Sequence, residues 1–273
     1  ETRARVVPAG REGAAVDRRA PVDPRGRLVE LVPARGPSRR VRARVVVVAD
    51  GLGGTALDEA GATEGLEWRV ARRSHIGFGG MVDGRAVACD EGEVRLFVGA
   101  EGYLGAVGLP TGAIDLAAAV RPAALRAAGG VGPLAARLLG NALRDRGALD
   151  AARWKGTPEL TRRRARVAGD GILVVGDAAG YVEPFTGEGM TWAIRSGLAA
   201  GALAARDPDA ARAWPARHAR LVGGARLRCR AIALLLRLPA LVEPLLALGA
   251  RVPAPFERLA VAIGSGGRSG GAR

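Results

Sequence analysis

The stretch Gly171–Ala199, GILVVGDAAGYVEPFTGEGMTWAIRSGLA, constrains this chain more than any other. Ile172–Val175 is a short β-branched run with the length of a buried strand. It ends in Gly176-Asp177, with the small residues Ala178, Ala179 and Gly180 behind it. A loop holding Pro184 and Gly187 follows, and Gly189 opens an Ala-, Ile- and Leu-rich segment that reads as a helix. Strand, tight loop and helix in this order make an α/β unit. An acid at a strand's carboxyl end can accept from a sugar-like hydroxyl. A glycine-lined helix start offers free N–H groups and roughly half a positive charge, which suits an anionic group on the same ligand.

These residues resemble the second flavin-binding motif of the FAD-dependent oxidoreductases that include aromatic-ring monooxygenases, geranylgeranyl reductases and flavin halogenases. GDAAGYVEPFTGEGM is most similar to the geranylgeranyl-reductase branch. The resemblance implies FAD as the cofactor. It places Asp177, between Gly176 and Ala178, on the ribityl or neighbouring ribose hydroxyls, and Pro184 beside the isoalloxazine. The backbone N–H groups of Gly187, Glu188, Gly189 and Met190 then meet the pyrimidine edge.

A second string, Ala49-Asp50-Gly51, follows the apolar run Val45–Val48. Gly51–Ala56 formally fits G-x-G-x-x-G/A, but Gly61 and Gly65 interrupt the helix that a dinucleotide fingerprint needs. No second strand with a terminal acid appears about 20 residues on. The string instead resembles the family's Ala-Asp-Gly segment near the cofactor pyrophosphate, which adds Asp50 and Gly51 to the cofactor-binding set. An ordinary Asp-Gly turn is the plainer alternative.

The fold implied is α/β: a Rossmann-like FAD/NAD(P)-binding domain, amino-terminally truncated, with an inserted antiparallel substrate sheet and a carboxyl-terminal helical region. The truncation is expected because the βαβ unit that grips the ADP half of FAD is not found. Arg3–Pro8, Arg27–Val32 and Val41–Ala49 read as strands. Ser74–Val82, Glu93–Val98, Tyr103–Leu109 and Ala113–Val120 read as four antiparallel strands joined by glycine-rich turns. Pro122–Arg146 reads as helix broken near Gly129–Gly132, and Trp154–Leu160 as a linker. In the expected organisation, residues 1–66 and 152–206 together make the flavin domain. Residues 67–151 make the substrate sheet and lid helices, 207–263 a helical region, and 264–273 a disordered tail.

The formal charge of +14 raises the question of nucleic acid. Lys155 is the only lysine, the arginine runs are short, and 4% aromatic residues cannot build a stacking platform. No nucleic-acid partner is expected. Cys89 and Cys229 fit neither a disulfide framework nor a metal pattern, and His75 and His218 stand alone, so no metal is expected. Ala231–Ala250 is broken by Arg237, Pro239, Glu243 and Pro244 and should not span a bilayer. Its leucines read as core, with a lipid-facing or dimer surface as the sharper alternative, so that peripheral membrane contact stays open. With no signal peptide, a cytoplasmic location is expected.

The chain therefore reads as an FAD-dependent oxidoreductase, a monooxygenase or double-bond reductase acting on a small hydrophobic molecule, with NAD(P)H or another reductant. PFTGEG favours the reductase branch. The Trp common near Gly105 and Ala106 in prenyl reductases and halogenases is missing, which argues against a prenyl substrate. No side chain is assigned as catalytic; Glu188 is more simply explained by the helix dipole. Tyr103 is the candidate for the substrate pocket, with sheet packing as its plainer role. The alternative function is a non-catalytic flavoprotein remnant, or a subunit of a split enzyme completed by a separate nucleotide-binding chain.

Overall fold

The computed structural model describes residues 2–7, 26–57, 65–169, 171–183 and 187–236, with 238, 244–245, 247–249, 251–252, 254–255 and 258. The chain divides into two compact units. One comprises Glu1–Val70, Arg162–Tyr181 and Gly187–Leu227; the other comprises Ala71–Thr161, Val182–Thr186 and Arg228–Arg273.

The first unit opens with β1 (Thr2–Val6), β2 (Arg27–Pro33) and β3 (Arg39–Ala43), an antiparallel sheet in that order. β4 (Val46–Val48) and β5 (Trp68–Val70) follow. The single strand expected over Val41–Ala49 is thus two strands in two different sheets, parted at Arg44-Val45. An unbroken β-branched run specifies extended backbone but not which edge it pairs with.

The second unit is built on a five-stranded antiparallel sheet. Its strands are β6 (Ile76–Asp83), β7 (Val94–Gly99), β8 (Gly102–Gly108), β9 (Ala113–Val120) and β10 (Lys155–Glu159), in the order β10-β6-β9-β8-β7. Lys155–Glu159, read from sequence as linker, is therefore an edge strand paired with β6. On β9 the alternating residues Ile114, Leu116, Ala118 and Val120 face the core, as a half-buried strand requires. Leu134, Ala135, Leu139 and Leu149 cover them from α2 (Val131–Leu139) and α3 (Arg146–Ala151), which follow α1 (Pro122–Ala128). Each fully buried leucine contributes about 1.5–3 kcal/mol. Gly129, with φ +77°, ends α1 in the left-handed conformation and donates its N–H to Arg126 O. Trp154 packs edge-on to Phe78 at 5.5 Å and donates Nε1–H to Leu149 O at 3.0 Å.

The chain then completes the first unit. β11 (Arg162–Arg164) joins β5 and β14 (Gly180–Tyr181) in a small antiparallel sheet. β12 (Ala168–Gly169) and β13 (Ile172–Val174) form a sheet with β4, and β13 runs parallel to β4. Ile172 and Val174 pack with Val48, Leu57 and Leu66 on one side. Leu173 and Val175 pack on the other side with Ala200 of α5 (Gly189–Arg206) and Trp214 of α6 (Ala210–Leu236). A strand buried on both faces explains the continuous apolar run. Trp214 is fully buried, and its Nε1–H donates to Val174 O at 3.0 Å.

Among the described residues of the carboxyl-terminal region, Leu234, Leu235, Leu238, Leu245 and Leu248 are exposed and not core, while Leu241 and Leu246 lie outside the described residues. The expected tail 264–273 also lies outside them. No helix among the described residues is long and apolar enough to cross a membrane.

Candidate functional site

Two places carry chemistry, one in each unit. In the first unit, Val48 and Val174 are register partners on parallel strands, and Val175 N–H donates to Val48 O at 3.0 Å. Asp50-Gly51 and Gly176-Asp177 therefore leave neighbouring strands at the same carboxyl end, where open α/β sheets bind ligands. Gly176–Ala179 forms α4, a single helical turn. Gly176 has φ +56°, and a Cβ there would sit 3.1 Å from Ala193 Cβ, so glycine lets this turn approach α5. Its N–H donates to Ser196 Oγ at 3.0 Å, and Ser196 in turn donates to Trp192 O at 2.7 Å.

The Asp177 carboxylate is half-buried, and burial raises its pKa above the usual carboxylate value while nearby Arg226 partly opposes this. It receives no hydrogen bond from any described residue. A Cβ at Gly189 would lie 3.9 Å from Asp177 Oδ1, so the acid faces the start of α5. Trp192 N–H is bonded to Glu188 O, so the amides of Gly189, Met190 and Thr191 have no partner inside the helix. Glu188 is the buried N-cap residue, but its side chain makes no capping bond. Gly187 has φ +66° with open space where a Cβ would stand, and the Met190 side chain is exposed. Ala178 is fully buried, and its carbonyl accepts from Arg164 Nε at 3.3 Å. Pro184 lies outside the described residues.

At the other strand end, Asp50 Oδ2 accepts from Ala56 N–H at 2.9 Å and closes the loop that begins at Gly51, whose φ is +77°. Asp50 thus has a structural task in its own loop.

The second unit contains a cavity of about 540 Å³. Ser74, His75, Tyr103 and Glu183 line it, and all four are buried. His75 Nδ1 lies 3.1 Å from Glu183 Oε1, off the line of an ideal hydrogen bond. His75 therefore does not stand alone, contrary to the sequence reading: residues over a hundred positions apart meet only in the fold. An imidazole beside a carboxylate can hold and exchange a proton. Ser74 Oγ donates to His75 O and accepts from Thr161 N–H, which fixes the backbone here.

Four arginines also line this cavity: Arg72, Arg73, Arg121 and Arg126. Ser74 N–H donates to Ala71 O at 3.0 Å, which puts Arg72 and Arg73 at the centre of a turn. Arg121 is the N-cap residue of α1, and Arg126 lies within that helix. Sequence reading missed these arginines, because each looks like any other in an arginine-rich chain. It also missed Ser196, a lone serine inside a helix.

No protein-family model and no curated protein matches this chain. Solved structures do. PqsL, a probable FAD-dependent monooxygenase from Pseudomonas aeruginosa, superposes with a TM-score of 0.57 at 22% identity, over 86% of this chain and 64% of PqsL. A triple mutant of the flavin-dependent brominase Bmp2 gives 0.65 at 14% identity, over 96% of this chain and 64% of Bmp2. The flavin-dependent halogenase CmlS gives 0.58 at 17% identity, over 76% and 39%. The chain thus has the α/β fold found in FAD-dependent monooxygenases and flavin halogenases, and it spans just under two thirds of the length of the PqsL and Bmp2 chains.

Proposed function

We propose that this chain is the flavin- and substrate-binding portion of an FAD-dependent oxidoreductase acting on a small organic molecule. The observation that carries the reading is Asp177: a half-buried carboxylate without a hydrogen-bond donor among the described residues, facing the open amides of α5. That donor and acceptor set fits the hydroxyls and the electron-rich ring edge of a flavin. Gly176, Asp177 and Ala178 would hold the ribityl region, with Pro184 beside the ring. Gly187, Glu188, Gly189 and Met190 would present amides to it, and Asp50 and Gly51 would lie toward the pyrophosphate. Bound FAD supplies the redox chemistry, while the protein positions and tunes it. Ser196 holds the Gly176 amide and so keeps Asp177 aimed at the helix start.

The reaction is a hydroxylation or a double-bond reduction, with NAD(P)H or another reductant as electron source. The monooxygenase and halogenase neighbours support the first, and the PFTGEG string supports the second. PqsL has been crystallised with 2-aminobenzoylacetate, which supports a small-molecule substrate here. Tyr103 and the His75–Glu183 pair are the groups we assign to the substrate cavity. The exposed leucines of the carboxyl-terminal region would carry any peripheral membrane contact.

A second reading, a subunit of a split enzyme completed by a separate nucleotide-binding chain, is favoured by one surface. Met190, Ile194 and Leu198 recur every four residues on α5 and are exposed, and Val47 on the neighbouring edge strand β4 is 40% exposed. Such a stripe suits a further layer packed against it.

Titrating the purified chain with FAD and following flavin fluorescence tests the main reading. Quenching with saturable binding is expected. An unquenched signal at millimolar FAD refutes it.

A further inference from the structure

Four cationic side chains line the cavity of the second unit, and Glu183 is the only carboxylate among the described residues of its lining. Glu183 already faces His75. None of Arg72, Arg73, Arg121 and Arg126 is engaged in an ion pair among the described residues. Elsewhere in the same unit exposed arginines do find carboxylates: Arg85 contacts Asp83 at 3.1 Å, Arg95 contacts Glu93 at 2.7 Å, and Arg137 contacts Glu101 at 2.8 Å. Arg144, Arg146 and Arg153 of the same unit are likewise without an ion pair among the described residues, so what distinguishes the cavity is that four such guanidinium groups line one opening. Two arginines come from the turn before β6, one from the N-cap of α1 and one from within α1, so separate segments converge on one opening.

Beside these groups, Ser74 and Tyr103, the described wall is completed by Pro122 and the small residues Gly99, Ala100, Gly102, Ala123 and Ala233. This gives space for a flat or slender apolar body about 540 Å³ at most, and a polar mouth for its head. We propose that the cavity binds an organic carboxylate, with the acid group held by the arginines and the apolar body against Tyr103. Guanidinium groups take carboxylates with two parallel N–H bonds, which fixes orientation as well as charge. The substrate is then amphiphilic rather than purely hydrophobic. The inference rests on the assignment of this cavity to the substrate.

The test is calorimetric titration of the full chain, without flavin, with 2-naphthoate and its neutral isostere 2-naphthamide. Naphthoate should bind at least tenfold more tightly than the amide, and added sodium chloride should weaken it. The double variant R121Q/R126Q should lose at least tenfold in naphthoate affinity with an unchanged unfolding midpoint. Arg85→Gln should leave the affinity as it is. Equal binding of acid and amide, no naphthoate binding at its solubility limit, or an unaffected double variant would overturn the proposal. Inorganic phosphate competing as tightly as naphthoate binds would also overturn it, because the apolar wall would then contribute nothing. FAD titration of the same samples separates the two readings. Failure of naphthoate with FAD still bound removes only this inference, and failure of FAD with naphthoate still bound removes only the flavin reading.

Discussion

His75 Nδ1 sits 3.1 Å from Glu183 Oε1 with both side chains almost wholly out of water. Burying a charged or proton-sharing pair is costly, and removing one member costs more than losing the contact alone. We expect His75→Phe, which keeps a ring in place, to destabilise the chain by about 3 kcal/mol. The hydrogen-bonding replacement His75→Gln should cost about 1 kcal/mol. Urea unfolding measures both. Identical midpoints for wild type and the Phe variant would show that the pair carries no stability.

Asp177 separates stability from binding. Burial raises its folded pKa, so the folded chain holds that proton to higher pH than the unfolded chain does. Stability from this group is present at low pH and is lost as pH rises through the folded value, leaving the carboxylate unfavourable at neutrality. Asp177→Asn should therefore raise the urea midpoint at pH 7 and lower FAD affinity about ten- to hundredfold, through loss of a charge-assisted hydrogen bond. A variant that is more stable and binds FAD as tightly as before contradicts the cofactor role.

His218 predicts an acid-sensitive fold. It is buried beside Trp214, and burial, helped by Arg226, lowers its pKa to about 4. Between an unfolded value of about 6.5 and this folded value the unfolded chain binds more protons. Stability is then full above pH 6.5 and falls as pH drops toward 4, by about 3 kcal/mol in total. In His218→Phe this component of the pH dependence should vanish. Unfolding midpoints measured at half-unit steps from pH 7 to 4 give the comparison, and parallel curves for the two proteins would count against it.

Two glycines should respond in opposite ways to alanine. Gly102 has φ +140° beside the cavity, and a Cβ there would overlap the Ala119 carbonyl and Val120 Cα on the neighbouring strand. Gly102→Ala should cost at least about 2 kcal/mol. Gly197 lies inside α5 with nothing within 4 Å of the new methyl. Gly197→Ala should stabilise by about 0.5–1 kcal/mol. Thermal unfolding of both variants decides, and a tolerated Gly102→Ala would mean that β8 and β9 can separate.

Local pattern was enough for the elements that depend on neighbours along the chain. Ala113–Val120 is a strand with the expected limits, Gly189 opens α5, and Gly129 stops α1, because side-chain alternation, helix starts and positive φ are set by short-range sterics. The α/β class followed from the strand–loop–helix of Gly171–Ala199 for the same reason. Pairing did not follow. Val41–Ala49 carries no mark of the break that sends β3 and β4 to different sheets, and Lys155–Glu159 has no apolar face to announce an edge strand. Nor did convergence: Ser196 reaches the Gly176 amide, His75 reaches Glu183, and four arginines meet at one cavity. Those relationships join residues twenty to a hundred or more positions apart, where chain-local preferences carry no information. Only the packing of sheets and helices brings such groups within a few ångströms.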